Sequence, residues 1–207
     1  GPLPLTMRKY FFSLVPVSLY ILEEPSQPGA EPETVDETVS SVTPSIGYSV
    51  SGIQPSMGLF SHRVVVTRHK SVAQLAREHG VDVVLHDLPH RSDTVRLGLE
   101  ALGDPDACMF LPGDQPLLRR ETVAKLLHSW AEHPDCMIRP IHEDTQGSPV
   151  LFPAWAFSEL KNLPEGKGGG VVIKNHPHDM IPVSISDPFE LADADTPETL
   201  ELLRGLY

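Results

Sequence analysis

Covalent staples are scarce in this chain. Its two cysteines, Cys108 and Cys136, stand far apart, which excludes a disulfide framework and a multi-cysteine zinc pattern. Both lie in apolar runs and read as buried thiols in a reducing compartment. Positive charge is scarce as well: 16 Lys and Arg stand against 28 Asp and Glu, a net charge of −12. A surface of that sign repels nucleic-acid backbones, so no nucleic-acid partner is expected, although enough basic residues remain for a small phosphate ligand. No apolar run reaches the roughly 20 residues needed to span a bilayer, so no membrane partner is expected. No Ser-His-Asp or Cys-His arrangement is evident, which leaves a protein nucleophile without support.

A length of 207 residues with 40% hydrophobic content fits one α/β domain over 1–207 with a sizeable core. Arg8-Lys9 ahead of the apolar run Tyr10–Leu22 mimics the start of a secretory signal. Pro16 interrupts that run, and the acidic, proline-rich continuation lacks a clean small-x-small cleavage site. A first buried strand over Tyr10–Leu14 and a cytoplasmic location are therefore expected. The closest histidine pairs, His86/His90 and His176/His178, read as solvated loop residues rather than as a metal site.

From Phe60 the chain alternates regularly. Val64–Val66 reads as a strand, then a helix capped by Ser71 runs to about His79 and ends at Gly80. Val81–Leu85 is the next strand, followed by a helix opened by Ser92 or Asp93. Ala107–Leu111 is a third strand, about Glu121–Ala131 a helix, and Cys136–Ile138 a fourth strand. This alternation predicts a mostly parallel sheet with helices on both faces. Ligands then bind beyond the carboxyl ends of the strands, in the loops after Thr67, Leu85 and Leu111. Residues 13–57, rich in Ser, Pro, Glu, Thr and Val, stand apart as atypical and structureless.

Leu111-Pro-Gly-Asp-Gln-Pro116 carries the strongest chemical signal. An apolar strand runs into a turn whose one charged residue is Asp114. A carboxylate there suits a hard divalent ion such as Mg²⁺; a carboxylate capping the following turn fits equally well. Near the C-terminus, Asp193 and Asp195 alternate in extended chain and so point the same way. Thr196 or Asp195 then caps a helix over about Pro197–Leu206, and one of the two aspartates suits a turn role. Gln146–Pro153 reads as a tight turn into a strand, with Gly147 allowing close backbone approach to a ligand. Gly166-Lys-Gly-Gly-Gly170 precedes an apolar run and can cradle phosphate, but lacks Walker A spacing.

The order Ser92-Asp-Thr-Val-Arg-Leu-Gly-Leu99, Phe110-Leu-Pro-Gly-Asp-Gln-Pro116, Gly147-Ser-Pro-Val-Leu-Phe152 and Asp193-Ala-Asp-Thr-Pro-Glu198 resembles the MobA-like NTP transferases, and among them the molybdenum cofactor cytidylyltransferases. The resemblance covers about residues 60–207 and implies a Rossmann-like nucleotidyltransferase fold. It also implies transfer of NMP from an NTP, CTP above GTP, to a phosphorylated acceptor, with release of pyrophosphate. Molybdopterin is the implied acceptor, with a sugar or polyol phosphate as alternative. A molybdenum hydroxylase or its chaperone is the implied protein partner. By resemblance, Asp114 and Asp195 are catalytic and, with Asp193, hold Mg²⁺. Ser92, Thr94, Arg96, Pro112 and Gly113 would bind the nucleotide. Gly147, Ser148, Pro149, Lys167 and Gly168 would bind the acceptor, relatives often carrying His at the position of Ser148.

One family element is missing. The family opens with a strand and a glycine-rich loop containing Arg and Lys, which supplies donors and charge to the triphosphate. Met7–Phe12 resembles the start of that strand, yet no glycine, Arg or Lys occurs between Phe11 and Gln27. A catalytically impaired nucleotide- or cofactor-binding paralogue is the alternative function that follows. An out-of-frame stretch over about 13–57 would account for the break, since one base earlier the codons of Thr43–Ser49 permit a family-like helix. True divergence and a degraded paralogue are the competing accounts, and the coding DNA distinguishes them.

Overall fold

The computed structural model describes residues 17–22, 58–103, 105–113, 115 and 117–192. Strand β1 (Val17–Leu22) is followed by β2 (His62–Thr67), helix α1 (Lys70–Glu78), β3 (Asp82–Leu85), α2 (Arg91–Leu102) and β4 (Ala107–Pro112). Then come α3 (Arg120–Glu132), β5 (Met137–His142), β6 (Thr145–Gln146), β7 (Val150–Pro153), α4 (Phe157–Lys161), α5 (Gly170–Asn175) and β8 (Met180–Ser184). A 3₁₀ turn over Pro188–Leu191 closes the described chain.

The sheet order is β3-β2-β1-β4-β7-β5-β6, with β8 paired to β5. Strands β3, β2, β1 and β4 are parallel, as the strand–helix alternation predicts. β7 runs antiparallel to both β4 and β5, while β8 runs parallel to β5. The segment 146–153 contains no helix, so nothing turns the chain round before β7, and it enters from the carboxyl end of β4. That edge of the sheet therefore gathers the ends of β1–β5 and β8 and the start of β7.

The first described strand, Val17–Leu22, lies centrally between β2 and β4, where no strand was expected. Six residues of the segment read as structureless are thus part of the sheet's middle. Tyr10–Leu14, Met7–Phe12 and the remainder of 13–57 lie outside the described residues.

Alternation along the strands splits the core in two. Val65 and the Ala107, Met109 and Leu111 side chains pack with Val72 and Ala76 of α1 and Val123, Leu126, Leu127 and Trp130 of α3. Val64, Val66, Cys108 and Phe110 pack on the other face with Val95, Leu99 and Leu102 of α2, Leu160 of α4 and Val172 of α5. β4 is apolar at nearly every position because it is covered on both faces. Cys108 is fully buried, and burial pushes its thiol well up from the ordinary value; Cys136 is only partly buried.

Helix ends follow local chemistry more closely than expected in one case and less in two. Gly80 sits at φ 69°, donating to the Arg77 carbonyl at 3.0 Å while Val81 N–H reaches the Ala76 carbonyl at 3.0 Å. This is the paired closure that a left-handed glycine permits. Ser71 is not the cap of α1: the N-cap is His69, whose N–H is taken by Thr67 Oγ1 at 3.0 Å. Likewise α2 starts one residue before Ser92, with His90 as N-cap and Asp93 answering the His90 N–H in a capping box.

Candidate functional site

Register fixes which loops meet at the carboxyl edge. Leu22 of β1 is level with Pro112 of β4 and Val66 of β2, and Thr67 is level with Leu85. Because Phe110 pairs with Val150, the residues just before β7 lie beside those that end β4. Gly147, Ser148 and Pro149 thus come to the same edge as Pro112 and Gly113. Gly113 is buried and Pro112 half-buried. Asp114, Asp193 and Asp195 lie outside the described residues, as does the helix expected over Pro197–Leu206.

The residues flanking those aspartates are well anchored. Gln115 is 2% exposed, and its Oε1 has no hydrogen-bond partner among the described residues. A buried amide oxygen without a partner is costly, and it is a hard oxygen that could ligate Mg²⁺ or accept a hydrogen bond from an ion-bound water. On the other flank, Leu191 packs so closely on Gly147 that a Cβ there would meet Leu191 Cδ2 at 2.7 Å. Gly147 therefore serves close approach, but to a side chain of this protein.

Arg139 of β5 organises the turn before β7. Its Nε donates to the Gly147 carbonyl at 3.0 Å and its Nη1 to Gln146 Oε1 at 3.1 Å. Burial lowers its pKa from the ordinary guanidinium value, yet it stays charged at any working pH. Beside it, Ile185 N–H reaches the Ile141 carbonyl at 2.9 Å and His142 Nδ1 donates to the Ile185 carbonyl at 3.0 Å. These contacts hold the end of β8 at the site edge. Arg139 belongs to no motif, and its one signal in the sequence is a lone cation within the otherwise apolar Met137–Ile141.

The proposed nucleotide residues Ser92, Thr94 and Arg96 lie on the first turns of α2, close to where a helix was expected to open. Ser92 Oγ accepts from Gly166 N–H at 3.3 Å. Arg96 pairs with Asp93 at 3.2 Å and Glu100 at 3.6 Å. Thr94, 6% exposed, meets His86 Nε2 at 3.1 Å. Because His86 Nδ1 accepts from Leu88 N–H at 3.1 Å, the ring is neutral and its Nε2–H donates to Thr94. Its pKa is lowered, first by burial and next by Arg68, with Asp93 and Asp87 opposing. His86 is thus a half-buried structural residue rather than a solvated one. His90 pairs separately with Glu165 at 2.8 Å, and His176 with Glu159 at 2.7 Å. Among the described residues no group of three or more His, Cys, Asp or Glu could hold a metal.

The glycine-rich loop packs on the start of α2. Gly168 packs on Arg91, whose Nε would lie 2.7 Å from an added Cβ, and Glu165 and Gly166 contact His90 and Ser92. Lys167 is exposed on that loop. Direct contacts therefore tie Glu165, Gly166 and Gly168 to His90, Ser92 and Arg91, whereas Gly147 is tied to Arg139 and Leu191.

A mainly parallel sheet with its loops gathered at the carboxyl edge is the architecture of an α/β nucleotide-handling protein. The chain belongs to the MobA-like NTP transferase domain family, a family of nucleotidyltransferases, whose model matches residues 43–180. The match begins inside the segment set apart as atypical and ends before the Asp193–Glu198 run. A 3-deoxy-manno-octulosonate cytidylyltransferase of Acinetobacter baumannii is 31% identical over 91 residues, 40% of this chain and 36% of that protein. The aligned part thus spans little over a third of that relative's length. A structure described as CMP:2-keto-3-deoxy-manno-octonic acid synthetase complexed with CTP superposes with a TM-score of 0.63 at 16% identity, covering 92% of this chain and 97% of the other. A Mycobacterium tuberculosis H37Rv protein solved in complex with manganese superposes at 0.60 and 19% identity, over 90% and 97% of the two chains. The fold is therefore the Rossmann-like nucleotidyltransferase fold.

Proposed function

We propose that the protein is a divalent-metal-dependent cytidylyltransferase that moves CMP from CTP to a phosphorylated acceptor, molybdopterin first among them, and releases pyrophosphate. The observation that carries this is convergence. The flanks of Asp114, the Gly147–Pro149 turn and the chain entering Asp193 share one sheet edge, though they are far apart in sequence. Family membership and the printed activities of the relatives support the same chemistry.

Asp114 with Asp193 or Asp195 would hold Mg²⁺, which would offset phosphate charge and polarise the α-phosphorus; the unpartnered Gln115 Oε1 suits a place beside it. The chain's own part is positioning. The Gly147–Pro149 turn, braced by Arg139, would orient the acceptor phosphate for in-line attack. Its oxygen forms the new bond to the α-phosphorus as the α–β bridge bond breaks and pyrophosphate leaves. Ser92 and Lys167, on the joined α2 and glycine-rich elements, would flank the nucleotide.

One observation favours a second reading, nucleotide binding without turnover. The central strand β1 is followed by Glu23-Glu24-Pro25, where the family carries a glycine-rich basic loop.

The test is pyrophosphate release with CTP or GTP, Mg²⁺ or Mn²⁺, and molybdopterin, a polyol phosphate or 3-deoxy-manno-octulosonate as acceptor. Release with CTP and molybdopterin is expected. Asp114→Ala should lower the rate by about two orders of magnitude or more, as loss of a metal-held charge does, with little change in folding. Unchanged turnover in that variant would overturn the metal assignment, and CTP binding without release would favour the second reading.

A further inference from the structure

We propose that Glu190 is a positioning residue for the proposed transfer, a long-range carboxylate latch that holds the chain leading to Asp193 against the loop leaving Asp114. The inference rests on the cytidylyltransferase reading but uses only contacts among described residues.

Helix α3 follows the β4 loop by a few residues, and its own N-cap, Arg119, makes no side-chain cap. The open N–H groups of a helix start need an acceptor, normally supplied by a local Ser, Thr, Asp or Asn. Here it comes from far along the chain. Glu190 Oε1 accepts from Arg119 N–H at 2.9 Å and from the Thr122 hydroxyl at 2.6 Å. Glu190 is 4% exposed, so its carboxyl group has left water. That burial is tolerable because donors and the positive end of the helix dipole face it.

Three further contacts fasten the same segment. Arg119 Nη2 meets Asp187 Oδ2 at 3.0 Å, and Asp187 Oδ1 accepts from Phe189 N–H at 3.0 Å, closing the 3₁₀ turn. Lys125 Nζ donates to the Ser184 carbonyl at 2.6 Å, and Leu191 seats on Gly147. Capping α3 and docking residues 184–192 are therefore one equilibrium. An ordinary cap would stabilise α3 alone. This one also fixes where the chain enters Asp193, three residues past Glu190, relative to Asp114, five residues before Arg119.

The experiment compares the full-length wild type with Glu190→Ala, Glu190→Gln and Thr122→Val, each held well below its melting temperature. Hydrogen exchange is followed by mass spectrometry, and Mn²⁺ affinity in the presence of CTP by calorimetry. Glu190→Ala should speed exchange in peptides covering both 117–123 and 187–192 and weaken Mn²⁺ binding about 10- to 100-fold, the usual cost of losing a support behind metal ligands. Glu190→Gln keeps an acceptor oxygen and should restore most of both. Thr122→Val should give a smaller change of the same pattern, and it serves if the alanine variant fails to fold. Faster exchange at 117–123 alone, with Mn²⁺ affinity unchanged, would reduce Glu190 to a cap and overturn the proposal. If the wild type binds neither Mn²⁺ nor CTP, the cytidylyltransferase reading fails, and paired or unpaired exchange still decides whether the latch exists.

Discussion

Gly169 offers the sharpest test of the packing behind the site. It precedes α5 and lies over the sheet, where a Cβ would stand 2.8 Å from Phe152 Cζ and 3.3 Å from Cε2. Carbon atoms rest at about 3.5–4.0 Å, so the ring must retreat by about 0.7 Å. It has little room: Phe152 is 1% exposed and tilted against Phe110 at a centroid distance of 4.9 Å. Overpacking of this kind costs about 1–3 kcal/mol. For a chain of this size, each kcal/mol lowers the melting temperature by about 2–4 °C. Gly169→Ala should therefore melt several degrees below the wild type by calorimetry. Its neighbour is the control. An alanine at Gly170 meets nothing within 4 Å, and helical residues prefer Ala to Gly, so Gly170→Ala should be neutral or slightly stabilising. A Gly169→Ala protein as stable as Gly170→Ala would refute the packing assignment.

Two further predictions concern the edge itself. The folded-state pKa of His86 lies below its unfolded value because burial disfavours the charged ring. The unfolded chain therefore binds the extra proton first as pH falls through about 6.5. Stability linked to His86 should be intact above that value and decline as pH falls from there toward the folded pKa. Urea melts across this window should show the decline. His86→Asn keeps an acceptor for Leu88 N–H without titrating and should flatten it; an unaltered pH slope would rule His86 out. Arg139→Met should remove the two donors that brace Gln146 and Gly147, costing about 1–3 kcal/mol for charged hydrogen bonds. In pyrophosphate assays it should raise KM for the acceptor more than for CTP, and an equal rise in both would contradict the brace.

The sequence was legible wherever periodicity and turn chemistry act locally. Strands β2, β3 and β4 and helices α1, α2 and α3 fall close to their expected bounds, because their apolar residues repeat cleanly and Gly80 ends α1 as glycine should. Partners that act at long range were not legible. Nothing local marks Glu190 as the cap of a helix some 70 residues earlier, or Arg139 as the brace of the turn after its own strand. Nothing local marks His86 as the partner of Thr94 either, because the two lie on successive elements. β1 was not legible for a different reason: Val17-Ser-Leu-Tyr-Ile-Leu22 is a good strand, but Pro16 and an atypical composition around it masked the signal.

That placement changes what the missing loop means. With β1 over Val17–Leu22, the position of the family's glycine-rich basic loop begins at Glu23-Glu24-Pro25 rather than within Ser13–Tyr20. The departure in sequence is then more than a lack of basic residues, since two acidic ones follow β1 where the resemblance implies a basic loop. The cations elsewhere on the edge are largely engaged: Arg96 with Asp93 and Glu100, Arg119 with Asp187, and Arg139 with the 146–147 turn. Arg68 at the end of β2 and Lys167 on the glycine-rich loop are exposed, and Arg68 is near enough to depress the His86 pKa. Two exposed side chains give weak, solvent-screened compensation. Most of the charge on a bound triphosphate would thus fall to the divalent ion. The placement of Asp114 relative to Asp193 and Asp195 then matters more in this chain than in one that keeps the basic loop.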